Sequence, residues 1–484
     1  MVNHFSTLNY WILGVYLAAM LGIGFMFMRR NETAEEYFLA GRDMPWLVVA
    51  MSMFASLTSA VTFMGIPYIA FSDNVSIFLG VMVSPLVAPV LIKVFYPVYW
   101  RYKVTTSYDY IAMRFGKNAR YCVSGLFVMA RIGWLGTVIV APATALHVAV
   151  GMPLYAAILL MGVLATAYTL LGGLKAVLWT DVVQFAILAG GAVWIAVSLS
   201  GEFGAANIIN NGAAAGKFDI FKWDIDLKKM TATAAIVSYF LIFMQDYGTD
   251  QITVQRLIAT KSYRGLAGAV VFNSVMDVAV NALLLFIGLG LFIKYQTESA
   301  MPEGIKGISI LPYYIVTALP DGVSGFVITG IFAAAMSSMD SGLNSVSTAV
   351  INDFMEPMSE NRINDKSKIA SGRTLTLILG VLSTGMAFYA ESIGHIVAAW
   401  SSFMGLFSAP VLAIFLLGLF VRRARFENWL IGAIPAIILV LCLRSFASIH
   451  WIYYFPISFG TCMLLSILSL CIISNDGVNT THKL

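Results

Sequence analysis

Long apolar stretches alternate with short polar segments from one end of the chain to the other. Each apolar stretch holds about 20 residues, which is the length that an α-helix needs to cross a lipid bilayer. The pattern predicts an all-α integral membrane protein with about thirteen transmembrane helices and no separate soluble domain. The predicted helices start near residues 8, 46, 77, 120, 153, 177, 231, 265, 322, 372, 394, 428 and 452.

Composition supports the membrane assignment, since 59% of the 484 residues are hydrophobic and only 11% are charged. A soluble domain carries about 25% charged residues. The first apolar stretch ends in Met28-Arg29-Arg30 rather than in a small-residue cleavage site. We therefore interpret it as a retained helix and not as a signal peptide.

The distribution of basic residues predicts the orientation of the chain in the membrane. With the N-terminus outside, the basic residues fall mainly in inside loops and the C-terminus lies in the cytoplasm. The net charge of +4 then reflects topology and does not indicate a nucleic-acid partner. The predicted inside-loop residues are Arg29, Arg30, Arg42, Arg101, Lys103, Arg114, Lys117, Arg120, Lys175, Arg256, Lys261, Arg264, Arg362, Lys366, Lys368, Arg373, Arg422, Arg423 and Arg425.

The usual enzyme motifs are missing from the sequence. It contains no phosphate-binding loop of the GxxxxGK type, no HExxH and no nucleophile elbow. The four cysteines are scattered without metal-ligand spacing, which favours small buried residues over a metal site. The sequence therefore disfavours an enzyme and predicts no cofactor.

One apolar segment carries a stripe of side-chain oxygens. Residues 330–350 read GIFAAAMSSMDSGLNSVSTAV. Helical spacing places the polar side chains on an arc of roughly 100°. Polar groups at membrane depth are costly and usually mark a path for an ion or a substrate. The stripe consists of Ser337, Asp340, Ser341, Asn344 and Thr348.

The second predicted helix is also unusually polar. Residues 50–70 read AMSMFASLTSAVTFMGIPYIA, with five hydroxyl residues followed by Gly65 and Pro67. Such a segment can unwind and present backbone carbonyls to a cation such as Na⁺, which prefers oxygen ligands. The alternative is that these hydroxyls bond to carbonyls of their own helix or pack against neighbouring helices.

Two further segments complete a resemblance to a known family. Residues 172–184 read GGLKAVLWTDVVQ, and residues 245–264 read QDYGTDQITVQRLIATKSYR, where we expect a helix to end and an inside loop to begin. Together with FASLTSAVTFMGIP and AAAMSSMDSGLNS, they resemble the sodium:solute symporter family over roughly residues 8–425. The inside segment SYDYIAMRFGKNAR at residues 107–120 is similar to an amphipathic connection of that family.

The resemblance implies a leucine-transporter-type core of ten helices in two inverted repeats, at about residues 46–199 and 231–420. One extra helix and a loop precede the core at residues 1–45, the core spans residues 46–425, and residues 426–484 hold C-terminal helices and a short tail. The helices that start near residues 46 and 231 would be broken at the membrane midplane.

The resemblance also implies two cation sites. The first would bind Na⁺ between the second and ninth helices. The second leaves Na⁺ and H⁺ open, because Asp340 stands where the family pattern has a serine and two carboxylates would repel each other. The alternative is that Asp340 pairs with a cytoplasmic Lys or Arg. The first site would use carbonyls of Ala55, Thr58 and Ala334 and hydroxyls of Ser337 and Ser338, and the second would use Asp181, Ser337, Asp340 and Ser341.

The expected solute site lies beside the break in the second helix. There, two hydroxyls would donate hydrogen bonds, and two aromatic rings would stack on a solute. Arg131 would hold a carboxylate as in sialic acid transporters, although Trp134 is nearer to the matching position. The alternative, which the sequence supports at least as well, is that Arg131 pairs with an acidic residue such as Asp277. The expected solute-binding residues are Ser59, Thr62, Arg131, Tyr239 and Phe243.

These expectations combine into a secondary active transporter. It would import a small organic solute with Na⁺ by alternating access, as a monomer in the plasma (inner) membrane. The best candidate is a sugar or an acidic sugar such as sialic acid. A monocarboxylate, a vitamin or an amino acid is the alternative within the family. An ion channel or a substrate sensor on the same scaffold is the alternative from another functional class.

Overall fold

In the computed structural model, helices of very different lengths make up almost all of the described chain. The described residues are 5–28, 33–170, 173–223, 226–295, 305–359, 363–392 and 396–471. The predicted inside-loop residues Arg29, Arg30 and Arg362 lie outside these ranges, as does the predicted tail from residue 472 onward. Within them, extended pairing is limited to an isolated bridge between Met44 and Thr260.

The helices are numbered in chain order. The first eleven are α1 (Thr7–Met28), α2 (Ala34–Leu39), α3 (Trp46–Leu57), α4 (Ala60–Ser72), α5 (Ile77–Val81), α6 (Ser84–Val94), α7 (Tyr96–Tyr102), α8 (Tyr108–Phe115), α9 (Lys117–Val150), α10 (Leu154–Thr169) and α11 (Leu174–Phe203). The others are α12 (Ala205–Ala214), α13 (Ala232–Gly248), α14 (Gln251–Leu257), α15 (Tyr263–Ile293), α16 (Ile310–Ala318), α17 (Val323–Ala349), α18 (Glu356–Met358), α19 (Asp365–Ser392), α20 (Ile396–Phe403), α21 (Ala409–Phe420), α22 (Phe426–Phe446) and α23 (Tyr454–Ser469). Short 3₁₀ turns occupy Ala40–Arg42, Gly307–Ser309 and Trp451–Tyr453, and π-helical turns occupy Val350–Met355 and Met404–Ser408.

Ten helical stretches in the described ranges are long and apolar enough to cross a membrane, and the bent pair α3–α4 makes up to eleven. The protein is thus a multi-pass, all-helical membrane protein. The two remaining predicted spans correspond to the shorter helices α10 and α13, of 16 and 17 residues. Every predicted start therefore matches a helix, but the count of thirteen crossings is not confirmed.

The predicted break in the second helix is present, but the proline does not cause it. Helices α3 and α4 are bent by 58° at Thr58 and Ser59. Both of these residues leave the helical conformation, with ψ angles of 82° and 171°. Pro67 lies inside α4 instead. The hydroxyl-rich segment is therefore where the backbone opens, and carbonyls in the last turn of α3 lose helical partners there.

The sequence predicts that an inside loop begins within residues 245–264, but the first part of this segment is helical. After α13 ends at Gly248, Asp250 caps a new helix by accepting a hydrogen bond from the backbone N–H of Ile252 at 2.9 Å. Every residue of α14 is buried, and Arg256 is only 1% exposed. Arg256 is therefore a core residue of the bundle and not a loop residue. The physical reason is that buried carboxylate and hydroxyl partners compensate its charge.

Close helix packing beside the break depends on Gly288 in α15. A Cβ atom at this position would lie 2.3 Å from the carbonyl oxygen of Pro67 in α4. Neither backbone can move away easily, because both belong to long packed helices. Membrane helices often use such small residues to approach each other closely.

We therefore expect Gly288→Ala to destabilise the protein by about 1–3 kcal/mol, the usual cost of overpacking. The midpoint of thermal unfolding in detergent micelles measures the effect. The matched control is Gly14→Ala, because a Cβ at Gly14 has no heavy atom within 4 Å. Equal midpoints for the two variants would show that the α4–α15 contact tolerates a methyl group.

Candidate functional site

A cavity open to solvent lies beside the break between α3 and α4, and its empty space is about 960 Å³ when the solvent at its mouth is counted. Its wall comes from that break and from α5, α9, α13, α15 and α20. The wall is mostly apolar with a few polar groups, as in small-molecule sites. All five residues expected to contact the solute line this cavity: Ser59, Thr62, Arg131, Tyr239 and Phe243.

Arg131 lies on the cavity wall but is already paired. Its guanidinium Nε donates to Asp250 Oδ2 at 3.0 Å, and Nη2 makes a second, short contact to the same oxygen. Nη2 also lies 3.5 Å from Asp246 Oδ1. The structure thus favours the expectation of a paired arginine. The partners are Asp250 and Asp246 rather than Asp277, which was the example expected from the sequence.

A second carboxylate faces the cavity from α15. Asp277 Oδ2 accepts a hydrogen bond from the hydroxyl of Tyr247 at 3.3 Å, and Oδ1 accepts one from Asn281 at 3.0 Å. Asn273, Asp277 and Asn281 are spaced by four residues, so they form a polar stripe along one face of α15. All three line the cavity.

Aromatic rings cover part of the cavity wall. The ring centroids of Tyr239 and Phe243 are 5.6 Å apart, and those of Phe243 and Tyr247 are 5.3 Å apart in a stacked arrangement. Trp134 and Trp400 line the cavity as well. The guanidinium carbon of Arg131 lies 4.8 Å from the ring centroid of Trp134, which is a cation–π contact.

The residues of the expected first Na⁺ site lie where α17 packs against the broken end of α3. Ser338 Oγ donates to the backbone carbonyl of Ser56 at 3.0 Å, so its hydroxyl faces the last turn of α3. Ser337 Oγ points to a different partner, Asp181 Oδ1, at 2.6 Å. Ala55, Thr58 and Ala334 are buried. Thr58 also lines the solute cavity, so the expected ion site and the solute cavity share a residue.

Asp181 is the centre of a buried hydroxyl cluster. The α11 carboxylate accepts hydrogen bonds from Ser52 at 2.5 Å and from Ser56 at 3.3 Å, besides the bond from Ser337. Ser56 and Ser341 hydroxyls lie 2.8 Å apart, and Ser341 donates to Asp340 Oδ1 at 3.2 Å. The expected second-site residues, Asp181, Ser337, Asp340 and Ser341, are therefore linked in one network.

Arg256 enters this network from α14. Its Nη2 lies 3.4 Å from Asp181 Oδ2 and makes a short contact to the hydroxyl of Ser341. Its Nε donates to Ser52 Oγ at 3.0 Å, and Nη1 donates to the carbonyl of Ile252 at 3.0 Å. A guanidinium thus supplies positive charge at the place where the sequence predicts a second cation.

Sequence reasoning missed Arg256 and the acidic wall of the cavity. The signals were present, because Asp246 belongs to the QDYGTD segment and the α15 stripe has helical spacing within an apolar run. The position of Arg256 had no comparable signal, since a basic residue a few positions before Lys261 and Arg264 also fits a cytoplasmic loop.

Known proteins match the chain over nearly its whole length. The model of the sodium:solute symporter family matches residues 37–436. The sodium/sialic acid symporter NanT of Aliivibrio fischeri is 31% identical over 95% of this chain and 92% of its own length. The sodium/sialic acid symporter SiaT of Proteus mirabilis is 30% identical over 94% and 92%. Human sodium-coupled monocarboxylate transporter 2 is 28% identical over 94% and 75%.

Two solved structures have a related fold. A Na⁺-coupled sialic acid symporter in a substrate-bound outward-open state superposes with a TM-score of 0.90 at 29% identity, covering 97% of this chain and 99% of that one. The nucleobase–cation symporter Mhp1 in a closed conformation superposes with a TM-score of 0.57 at 14% identity, covering 90% and 94%. At that identity, the second likeness concerns the fold alone.

Proposed function

This chain belongs to the sodium:solute symporter family, and from that premise we propose that it imports a small polar solute together with Na⁺ by alternating access. The observation that carries the proposal is the position of the α3–α4 break. Thr58 and Ser59 line the solute cavity, and the preceding carbonyl of Ser56 accepts the hydroxyl of Ser338 from α17. An ion at this junction would order the backbone that forms part of the solute site.

The first Na⁺ would bind between the last turn of α3 and helix α17. Five oxygens would bind it: the carbonyls of one α3 residue, of one residue at the break and of one α17 residue, and two α17 hydroxyls. The bend at Thr58 frees carbonyls of the last α3 turn, which supports this choice of ligands. The proposed ligands are Ala55, Thr58, Ala334, Ser337 and Ser338.

A second cation at Asp181 would have to share its site with a guanidinium. The proposed ligands remain Asp181, Ser337, Asp340 and Ser341, which one hydrogen-bond network connects. Arg256 lies beside the same carboxylate. Binding of Na⁺ or H⁺ there would therefore compete with Arg256 for the charge of Asp181.

The proposed architecture has two inverted five-helix repeats, at about residues 46–199 and 231–420, around the cavity. The breaks in α3–α4 and α13–α14 lie at corresponding places near the start of each repeat, and this agreement supports the repeat assignment. The N-terminal helix precedes the core at residues 1–45, and residues 426–484 follow it. We further propose an outside N-terminus, a cytoplasmic C-terminus, an inner-membrane location and a functional monomer.

The named substrates of the two bacterial relatives make sialic acid the first solute to test. The cavity residues Ser59, Thr62, Arg131, Tyr239 and Phe243 are proposed to contact the solute. Monocarboxylates, vitamins and amino acids are the other solute classes to include.

Uptake into proteoliposomes tests the coupling directly. An inward Na⁺ gradient should drive accumulation of the accepted solute above its external concentration, whereas equal Na⁺ on both sides should give only equilibration. The control uses a K⁺ gradient of the same size. Accumulation that ignores the Na⁺ gradient for every accepted solute would rule out Na⁺ coupling, and currents larger than coupled flux would indicate a channel.

A further inference from the structure

We propose that the transported solute carries a cationic nitrogen, which Asp246 and Asp277 bind in the central cavity. The proposal rests on the proposed function, because it concerns the solute of the same transporter. It defines the solute class by its charge. The names of the relatives state the solutes of those proteins, and the charge of the solute of this chain is a separate question. Both carboxylates line the cavity directly beside the α3–α4 break.

The charges on the cavity wall do not balance. Two carboxylates and one guanidinium line the cavity, and that guanidinium is held most closely by Asp250. No described Lys or Arg forms an ion pair with Asp277, whose contacts come from a tyrosine hydroxyl and an amide. An uncompensated carboxylate at membrane depth is costly, so a positive group arriving with the solute would stabilise the site.

A cavity-lining amide lies at the same ligand position. Asn273 lies one helical turn from Asp277 and is only 1% exposed. Its neighbour is the hydroxyl of Tyr247, but neither its oxygen nor its nitrogen makes a well-formed hydrogen bond to another described residue. A buried amide that is poorly satisfied costs free energy. The Asn273 oxygen and the Asp277 carboxylate together offer the acceptors that an ammonium group needs for its N–H donors.

The aromatic wall favours an organic cation over a bound metal ion. Three rings of α13 line the cavity: Tyr239 is tilted against Phe243, and Phe243 stacks on Tyr247. Ring faces attract organic ammonium groups, and such cages are a common way of recognising them. A hard inorganic cation prefers oxygen ligands, so an aromatic lining of this kind suits an organic ammonium group better.

An anionic solute would meet the opposite conditions. The Nε and Nη2 donors of Arg131 are engaged by Asp250 and Asp246, so a solute carboxylate would compete with these two residues for the guanidinium charge. Weakening a buried ion pair in this way is costly. The solute carboxylate would also lie near Asp246, and like charges at short range repel.

Matched probes that differ in charge test the proposal. One series shares a sugar ring: glucosamine is a cation, glucose is neutral and glucuronate is an anion. A second pair shares a branched shape: choline is a cation, and 3,3-dimethylbutan-1-ol has carbon in place of its nitrogen. We expect the ammonium compound of at least one set to raise the thermal unfolding midpoint more than its uncharged analogue does, in saturating Na⁺.

Two variants identify the carboxylates responsible. Asp277→Asn and Asp246→Asn should each weaken binding of the stabilising ammonium compound about 30-fold or more, the usual effect of removing one partner of a buried charge pair. The matched control is Asp219→Asn, which makes the same change at an exposed carboxylate in a loop. Its affinity for the compound should equal that of the unmodified protein.

The proposal is overturned if the protein binds the neutral or anionic compounds, or sialic acid, more tightly than the ammonium compounds. It is also overturned if neither set shows a charge preference. Unchanged affinity in both cavity variants would also overturn it. The proposed function fails separately. Na⁺-driven uptake of sialic acid without ammonium binding would support Na⁺ coupling and reject the cationic solute. Na⁺-independent uptake of an ammonium compound would support the cationic solute and reject Na⁺ coupling.

Discussion

Replacing Arg256 by alanine should destabilise the folded transporter by about 3–5 kcal/mol, because it leaves Asp181 buried without its cation. Both side chains are almost fully excluded from solvent, with exposures of 1% and 0%. The guanidinium also donates to Ser52 and contacts Ser341, so its loss affects three helices at once. The expected result is a markedly lower thermal unfolding midpoint in detergent micelles.

A double-mutant cycle separates this charge effect from simple loss of packing. Neutralising the partner as well, in Arg256→Ala/Asp181→Asn, should recover part of the lost stability, because no uncompensated charge remains. The control Arg264→Ala removes an exposed basic residue from the adjacent helix. If the two substitutions were simply additive, the Arg256–Asp181 contact would not be the source of the effect.

The same pair bears on the coupling of ion and solute. Arg256 connects α14, which directly follows α13, to Asp181 on α11 and to Ser52 on α3. A second cation at Asp181 would weaken these contacts, because it would reduce the negative charge that the guanidinium neutralises. Asp340 is connected to Arg256 through the hydroxyl of Ser341, which donates to Asp340 and contacts the guanidinium. The residue that we expect to depart from the family pattern thus belongs to a network that already contains a guanidinium cation.

Sequence periodicity predicted the membrane helices and the polar face of α17 well, because both depend on local chemistry. An apolar run of sufficient length must be helical in lipid, and hydroxyls at helical spacing must share a face. The same logic located Thr58 and Ser59, since a polar segment inside a span is where a helix can open. Ser59 and Thr62, which line the cavity, follow from the same logic. The other three expected solute residues, Arg131, Tyr239 and Phe243, also line it, but they depended on the family resemblance and not on local chemistry.

Pairing between distant helices could not be predicted in this way. Arg131 pairs with Asp250 across 119 positions of sequence, and Arg256 reaches Asp181 across 75. Such contacts depend on how the helices pack, which no local pattern encodes. The sequence therefore assigned Arg256 to a loop, and it offered Asp277 as the example of a partner for Arg131. The net charge of the cavity depends on those pairings and became apparent only from the structure.

Replacing both Ser337 and Ser338 by alanine should reduce Na⁺-driven uptake to background. The two hydroxyls face different partners, Asp181 and the carbonyl of Ser56, and the proposed Na⁺ would use both of them. Each single substitution should raise the half-saturating Na⁺ concentration about tenfold, since a buried acceptor loses its partner and the ion loses an oxygen. The measurement is the Na⁺ dependence of initial uptake rates in proteoliposomes.

The matched control is Ser345→Ala on the same helix. Ser345 is fully buried, but its hydroxyl donates to the carbonyl of Gly342 in its own helix at 3.0 Å. Its loss should leave the Na⁺ dependence unchanged, because that bond stays within α17 and does not reach α3. A normal half-saturating Na⁺ concentration in both Ser337→Ala and Ser338→Ala would move the ion away from the α3–α17 junction. The broken helix would then shape the solute cavity without binding the coupling ion.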